Sequence, residues 1–104
     1  MSTVRESVEA KIAATPVVVY SKSYCPYCTK TKALLKDLGA SFEVVELDRV
    51  ADGDAQQEAL EAITGQRTVP NTFIGGKTVG GNSDIQSMHK GQQLVPKLKA
   101  VAAL

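Results

Sequence analysis

The chain has 104 residues, room for one domain with one core and no internal boundary. Its 12 Lys and Arg stand against 11 Asp and Glu, and the resulting charge of +1 excludes the basic footprint of a nucleic-acid binder. A hydrophobic fraction of 43% fits a soluble globular domain, and no apolar run approaches the ~20 residues needed to cross a bilayer, so neither nucleic acid nor membrane is an expected partner.

Met1 to Thr15 lacks the basic start and apolar centre of a secretory signal, which makes a cytoplasmic location the expectation. Instead, Thr3-Val4-Arg5-Glu6 reads as a capping box, and Val4, Val8 and Ile12 recur at helical spacing, predicting a first helix up to about Ala14. Pro16 stops it. Val17-Val18-Val19-Tyr20 is apolar on both faces, as a buried central strand is. A second helix is expected from near Cys25 to Leu38, with Leu34, Leu35 and Leu38 inward and Gly39 just past its end.

Phe42 to Leu47 reads as the next strand. Asp54-Ala55-Gln56-Gln57 offers a second capping pattern, opening a helix with Ala59, Leu60 and Ile63 inward and Gly65 at its end. Thr72-Phe73-Ile74 and Lys77-Thr78-Val79 flank Gly75-Gly76, a two-residue hairpin turn that needs positive φ. Gly80-Gly81 breaks the strand, and Ser83 to Gln86 is expected to cap a short helix. A last helix carries Leu94, Leu98 and Val101, with Pro96 tolerable in its first turn. The order α-β-α-β-α-β-β-α-α predicts an α/β domain spanning 1–104: a parallel β-α-β unit, then an antiparallel hairpin, in one mixed sheet with helices on both faces.

The chemistry concentrates at Cys25-Pro26-Tyr27-Cys28. A strand-to-helix junction places Cys25 at a helix N-terminus, where free N–H groups and the helix dipole favour an anion, and Pro26 suits the first helical position. Cys28 falls on the next turn, within reach of a disulfide formed by Cys25, and Lys22 adds a positive charge upstream. A bridge this short would constrain the unfolded chain very little, so the pair points to redox or metal chemistry rather than stapling. Zinc needs about four ligands, and His89 is the only other soft candidate. Thr29 stands where haem attachment requires His. His89 falls in a late polar helix and reads as a surface residue. Inert buried cysteines remain an alternative on the motif alone.

Cys25-Pro26-Tyr27-Cys28 after a strand, Thr68-Val69-Pro70, and Gly80-Gly81 followed by Asp84 together resemble the dithiol glutaredoxins, with matching spacing from Val17 to Leu98. The resemblance implies a thioredoxin-like fold: a four-stranded mixed sheet flanked by helices, with an extra N-terminal helix. It implies a cis Pro70 facing Cys25, and a glutathione groove lined by Tyr27, Thr68 and Pro70. Val69 would offer its N–H and C=O to the cysteinyl part of glutathione. Lys22, with Gln57 and Arg67, would meet the glycyl carboxylate. N–H groups at Asn82 and Ser83 would hold the γ-glutamyl carboxylate, and Asp84 would accept from its ammonium. Many relatives carry cysteine where this chain has Asn82, which leaves backbone contacts at that position.

The implied activity is reduction of protein–glutathione mixed disulfides and some protein disulfides, with Cys25 as nucleophile, Cys28 as resolving thiol and glutathione as co-substrate. The expected partners are glutathione, glutathionylated proteins and disulfide-containing proteins, for a monomer without metal. Two other readings accompany it. One is a thioredoxin-like protein disulfide reductase served by a reductase enzyme. The other is an iron–sulfur carrier in which Cys25 from two subunits and two glutathiones hold a cluster.

Overall fold

A computed structural model describes residues 3–104. Helix α1 (Val4–Ala14) opens with the capping box in place: the Thr3 hydroxyl accepts from the Glu6 N–H at 3.1 Å, and the Glu6 carboxylate accepts from the Thr3 N–H. Strand β1 (Val17–Ser21) follows, every residue buried. Helix α2 (Pro26–Asp37) starts from Cys25 as N-cap and ends before Gly39, whose φ of +79° only glycine adopts at little cost. Next come β2 (Glu43–Glu46), α3 (Gly53–Thr64), β3 (Asn71–Ile74), β4 (Lys77–Gly80), α4 (Asn82–Lys90) and α5 (Leu94–Ala100). Pro96 lies in the first turn of α5. No helix among the described residues is long and apolar enough to cross a membrane.

The sheet order is β2-β1-β3-β4, with β1 and β2 parallel and the other pairs antiparallel. Because side chains alternate along a strand, β1 feeds two cores. Val18 and Tyr20 pack with Val8, Ile12, Leu60 and Phe73 under α1 and α3. Val17 and Val19 pack with Leu35, Ile85, Leu94 and Leu98 under α2, α4 and α5. That division explains the unbroken apolar run at β1.

Three local expectations shift. Strand β2 is shorter than Phe42 to Leu47, because its ladder with β1 runs only from Val18↔Glu43 to Ser21↔Glu46. Helix α3 starts at Gly53 rather than after Asp54, and its N-cap is Asp52, whose carboxylate accepts from the Gln56 side chain instead of a backbone N–H. The cause is tertiary: a Cβ at position 53 would lie 1.7 Å from the Leu47 carbonyl oxygen, so a glycine there fixes where the helix meets the end of β2. Helix α4 is capped at Gly81, not Ser83, and the Asp84 carboxylate accepts from the Gly81 N–H at 2.9 Å.

The registers decide where the site forms. Tyr20 pairs with Asn71, so the segment leaving β1 meets the segment entering β3. Thr72 pairs with Gly80, so the chain leaving β4 emerges beside them. Glu46 pairs with Ser21, which brings the segment after β2 to the same end of the sheet.

Candidate active site

Cys25 stands where β1 has ended and α2 begins. Its N–H donates to the Lys22 carbonyl at 3.0 Å, closing a tight turn. Asp48, just past β2, holds that turn from the side: its carboxylate accepts the Ser23 N–H at 2.8 Å and the Ser23 hydroxyl. These two hydrogen bonds keep the Asp48 carboxyl below the usual carboxylate range.

As N-cap, Cys25 presents its sulfur to the first turn of α2, where N–H groups have no partner within the helix. The Cys25 Sγ accepts from the Cys28 N–H at 3.2 Å, so a negative charge on that sulfur meets a donor already aimed at it. Across the groove, the Val69 carbonyl oxygen lies 3.8 Å from the same Sγ. Pro26 occupies the first helical position, as its missing N–H allows.

The two cysteines are physically unlike. Cys25 is partly accessible, whereas Cys28 is fully buried against β1. Burial pushes the Cys28 thiol up to about 11, and its hydrogen bond with Cys25 adds to the shift. Cys28 therefore stays protonated at neutral pH. Beside them Tyr24 and Tyr27 are exposed, and the Lys30 ammonium lies 5.2 Å from the Tyr27 ring centre.

An open groove of about 560 Å³ runs from Tyr27 past Thr68, Val69 and Pro70 to Asn82, Ser83 and Asp84, and the Val69–Pro70 peptide at its floor is cis. Seven of the residues singled out in the sequence thus line one cleft. Lys22 lies in the turn before Cys25, partly buried and free of ion pairs among the described residues. Gln57 and Arg67 lie to the side and are otherwise engaged. The Gln57 amide donates to the Arg67 carbonyl at 2.8 Å, and the Arg67 guanidinium is 3.8 Å from Glu61 at an exposed pair.

Two groove features have no local signal in the sequence. Gln66 lines the cleft and bonds the backbone on both sides of Val69. Asn82 contributes more than its backbone: its side-chain oxygen accepts from the buried Thr31 hydroxyl at 3.0 Å and from Gln86 at 3.2 Å. His89 is exposed near the end of α4, as its polar surroundings suggested.

A nucleophile-ready sulfur, a buried second thiol and a groove with backbone donors and an acid at its far end suit thiol–disulfide exchange on a small zwitterionic thiol. The family model for glutaredoxin matches residues 17–79. The chain is 53% identical over 93 residues to the glutaredoxin of Ricinus communis, covering 89% of this chain and 91% of that protein. It is equally identical, over 93 residues, to Glutaredoxin-C4, chloroplastic, of Oryza sativa subsp. japonica, covering 89% of this chain and 70% of that protein. The crystal structure of the buckwheat glutaredoxin–glutathione complex superposes with a TM-score of 0.95 at 44% identity, covering 97% of this chain and 92% of that one.

Proposed function

The chain belongs to the glutaredoxin family, with that family's thioredoxin-like fold, and from this premise we propose how its own residues carry out glutathione-dependent thiol–disulfide exchange. The protein is an oxidoreductase that uses glutathione. The single observation that carries the assignment of roles is the Cys25 sulfur, met by the Cys28 N–H at 3.2 Å and facing the Val69 carbonyl at 3.8 Å across the groove.

In the proposed cycle the Cys25 thiolate attacks the glutathione sulfur of a protein–glutathione mixed disulfide. The new Cys25–glutathione disulfide forms as the old bond breaks, and the protein thiolate leaves with the bonding pair. A second glutathione thiolate then attacks the bound glutathione sulfur, releasing oxidised glutathione and restoring the Cys25 thiolate. The Cys28 N–H stabilises that charge both at the start and at the end.

Cys28 takes part when a protein disulfide is the substrate. Its thiolate attacks Cys25 Sγ, expels the second protein thiolate and leaves an internal disulfide for two glutathiones to reduce. Because burial disfavours the Cys28 thiolate, this branch requires Cys28 to lose its proton before the attack.

For recognition, the main chain of Val69 pairs with the cysteinyl part of glutathione. The first N–H groups of α4, at Asn82 and Ser83, hold the γ-glutamyl carboxylate, and Asp84 takes the ammonium. Lys22 is the partner of the glycyl carboxylate, with Gln57 and Arg67 in support from the flank, while Tyr27 and Thr68 shape the wall. The support is charge matching: glutathione carries two carboxylates and one ammonium.

Among the described residues no three Cys, His, Asp or Glu gather, and buried Cys28 leaves Cys25 as the accessible sulfur. An iron–sulfur cluster would need ligands from beyond one chain. The reading is of a monomer without resident metal, acting in the glutathione-rich cytoplasm on glutathionylated and disulfide-containing proteins. A glutathione-coupled assay on a small glutathione mixed disulfide, beside one driven by thioredoxin reductase, tests it. Turnover with the second reductant alone would favour the thioredoxin-like alternative.

A further inference from the structure

We propose that Gln66 is a positioning residue for the substrate, holding the Val69 peptide groups out for pairing; the inference rests on the placement of glutathione at Val69. Its side-chain nitrogen donates to the Thr68 carbonyl at 2.9 Å and to the Pro70 carbonyl at 3.1 Å. One amide thus straddles Val69 and occupies the acceptors on either side of it. The Val69 N–H, by contrast, has no protein acceptor among the described residues, and its C=O meets only the Cys25 sulfur. A strand-like pairing with a ligand needs one residue's donor and acceptor free together while its neighbours are held, and Gln66 produces that arrangement.

Gln66 is itself anchored from behind. Its N–H donates to the Thr64 hydroxyl at 3.0 Å, and that hydroxyl also accepts from the Asn71 side chain at 3.3 Å. Asn71 is buried and accepts from Thr78 at 3.0 Å. A polar chain therefore runs from β4 through β3 and the end of α3 to the groove. The amide nitrogen also faces the start of α4, where a Cβ built on Gly81 would lie 4.0 Å from it. It sits between the two ends of the cleft that must grip one tripeptide.

The test is a donor series at one position, read by steady-state kinetics on a glutathione–cysteamine mixed disulfide, with a melting curve for each variant. Gln66→Met keeps the length and removes the donor; Gln66→Glu points an acceptor at two carbonyls; Gln66→Lys restores a donor. Loss of a neutral hydrogen-bonded pair predicts a KM for the mixed disulfide raised ~3- to 10-fold in Gln66→Met, more in Gln66→Glu, with kcat held. Gln66→Lys should stay within about twofold of wild type, because an ammonium also donates to carbonyls. A purely structural role would lower the melting temperature and leave KM blind to the presence of a donor. Either that result or a fall in kcat at constant KM overturns the inference while leaving the glutathione reading intact. Wild-type protein that reduced cystine but ignored the glutathione mixed disulfide would overturn both.

Discussion

The Thr31 hydroxyl donates to the Asn82 side-chain oxygen at 3.0 Å, joining helix α2, which carries Cys25 at its N-cap, to the first residue of α4, which forms the far wall of the groove. Thr31 is fully buried, so this bond is largely shielded from water, and it ties the helix capped by Cys25 to the far end of the cleft.

Replacing Thr31 by Val keeps the shape and removes the donor. A net loss of ~0.5–1.5 kcal/mol is expected, or roughly 4–8 °C in melting temperature per kcal/mol for a domain of this size. Gln86 still donates to the Asn82 oxygen at 3.2 Å, which keeps the loss toward the lower end. Thermal unfolding read by circular dichroism checks it; an unchanged melting temperature would remove any structural weight from the bond.

The two cysteines should divide the work unequally. Cys25→Ser is expected to bring deglutathionylation down to background, because an alkoxide is far harder to form than a thiolate and no other accessible thiol is present. Cys28→Ser should retain most of that activity, since its backbone N–H still reaches the Cys25 sulfur, while losing reduction of protein disulfides that needs a second thiol. Equal loss in the two variants, in the same coupled assay, would rule out the one-cysteine cycle.

Alkaline pH should destabilise the reduced protein. Cys28 is raised from 9.0 to about 11, and Tyr20, buried in the core near the Glu43 carboxylate, from 10.0 to about 12. Between pH 9 and 12 the unfolded chain has released protons that the folded one still holds. Raising pH therefore favours unfolding: the stabilisation is complete below pH 9 and is lost through pH 11 to 12. Denaturant midpoints should be flat up to about pH 9 and then fall. In Cys28→Ser the onset of the fall should move up by about one pH unit, to where Tyr20 begins to titrate; an unmoved onset would show that Cys28 does not contribute.

Much of this was legible locally. The unbroken Val17-Val18-Val19-Tyr20 run signalled a strand buried on both sides, and the structure sends its alternate residues into two separate cores. Gly75 and Gly76 signalled the hairpin and adopt φ of +60° and +81°. Contacts between distant segments were not legible. Gly53 starts α3 because Leu47 leaves no room for a side chain, and nothing in Asp54-Ala55-Gln56-Gln57 records that. Thr31 and Asn82 lie 51 positions apart, so their bond exists only once β1, β3 and β4 have brought the two helices together. Gln66 looks like an ordinary loop residue until the cleft has formed around it.

Asp84 has two tasks in the structure, and they can be separated. Its carboxylate caps α4 through the Gly81 N–H at 2.9 Å, and its charge is the proposed partner of the glutathione ammonium. Asp84→Asn keeps an oxygen able to accept from Gly81 while discarding the charge. It should raise KM for the mixed disulfide a few-fold with little change in melting temperature, in line with the ~0–1 kcal/mol of an exposed ion pair. Asp84→Ala should add the loss of the hydrogen bond to the Gly81 N–H, about 0.5–1.5 kcal/mol of stability. The difference between the two isolates recognition from folding. Rising salt should shrink the gap between wild type and Asp84→Asn, because it screens an exposed charge pair and leaves the cap nearly untouched. Wild-type KM for Asp84→Asn at low salt would mean that this carboxylate does not read the ammonium.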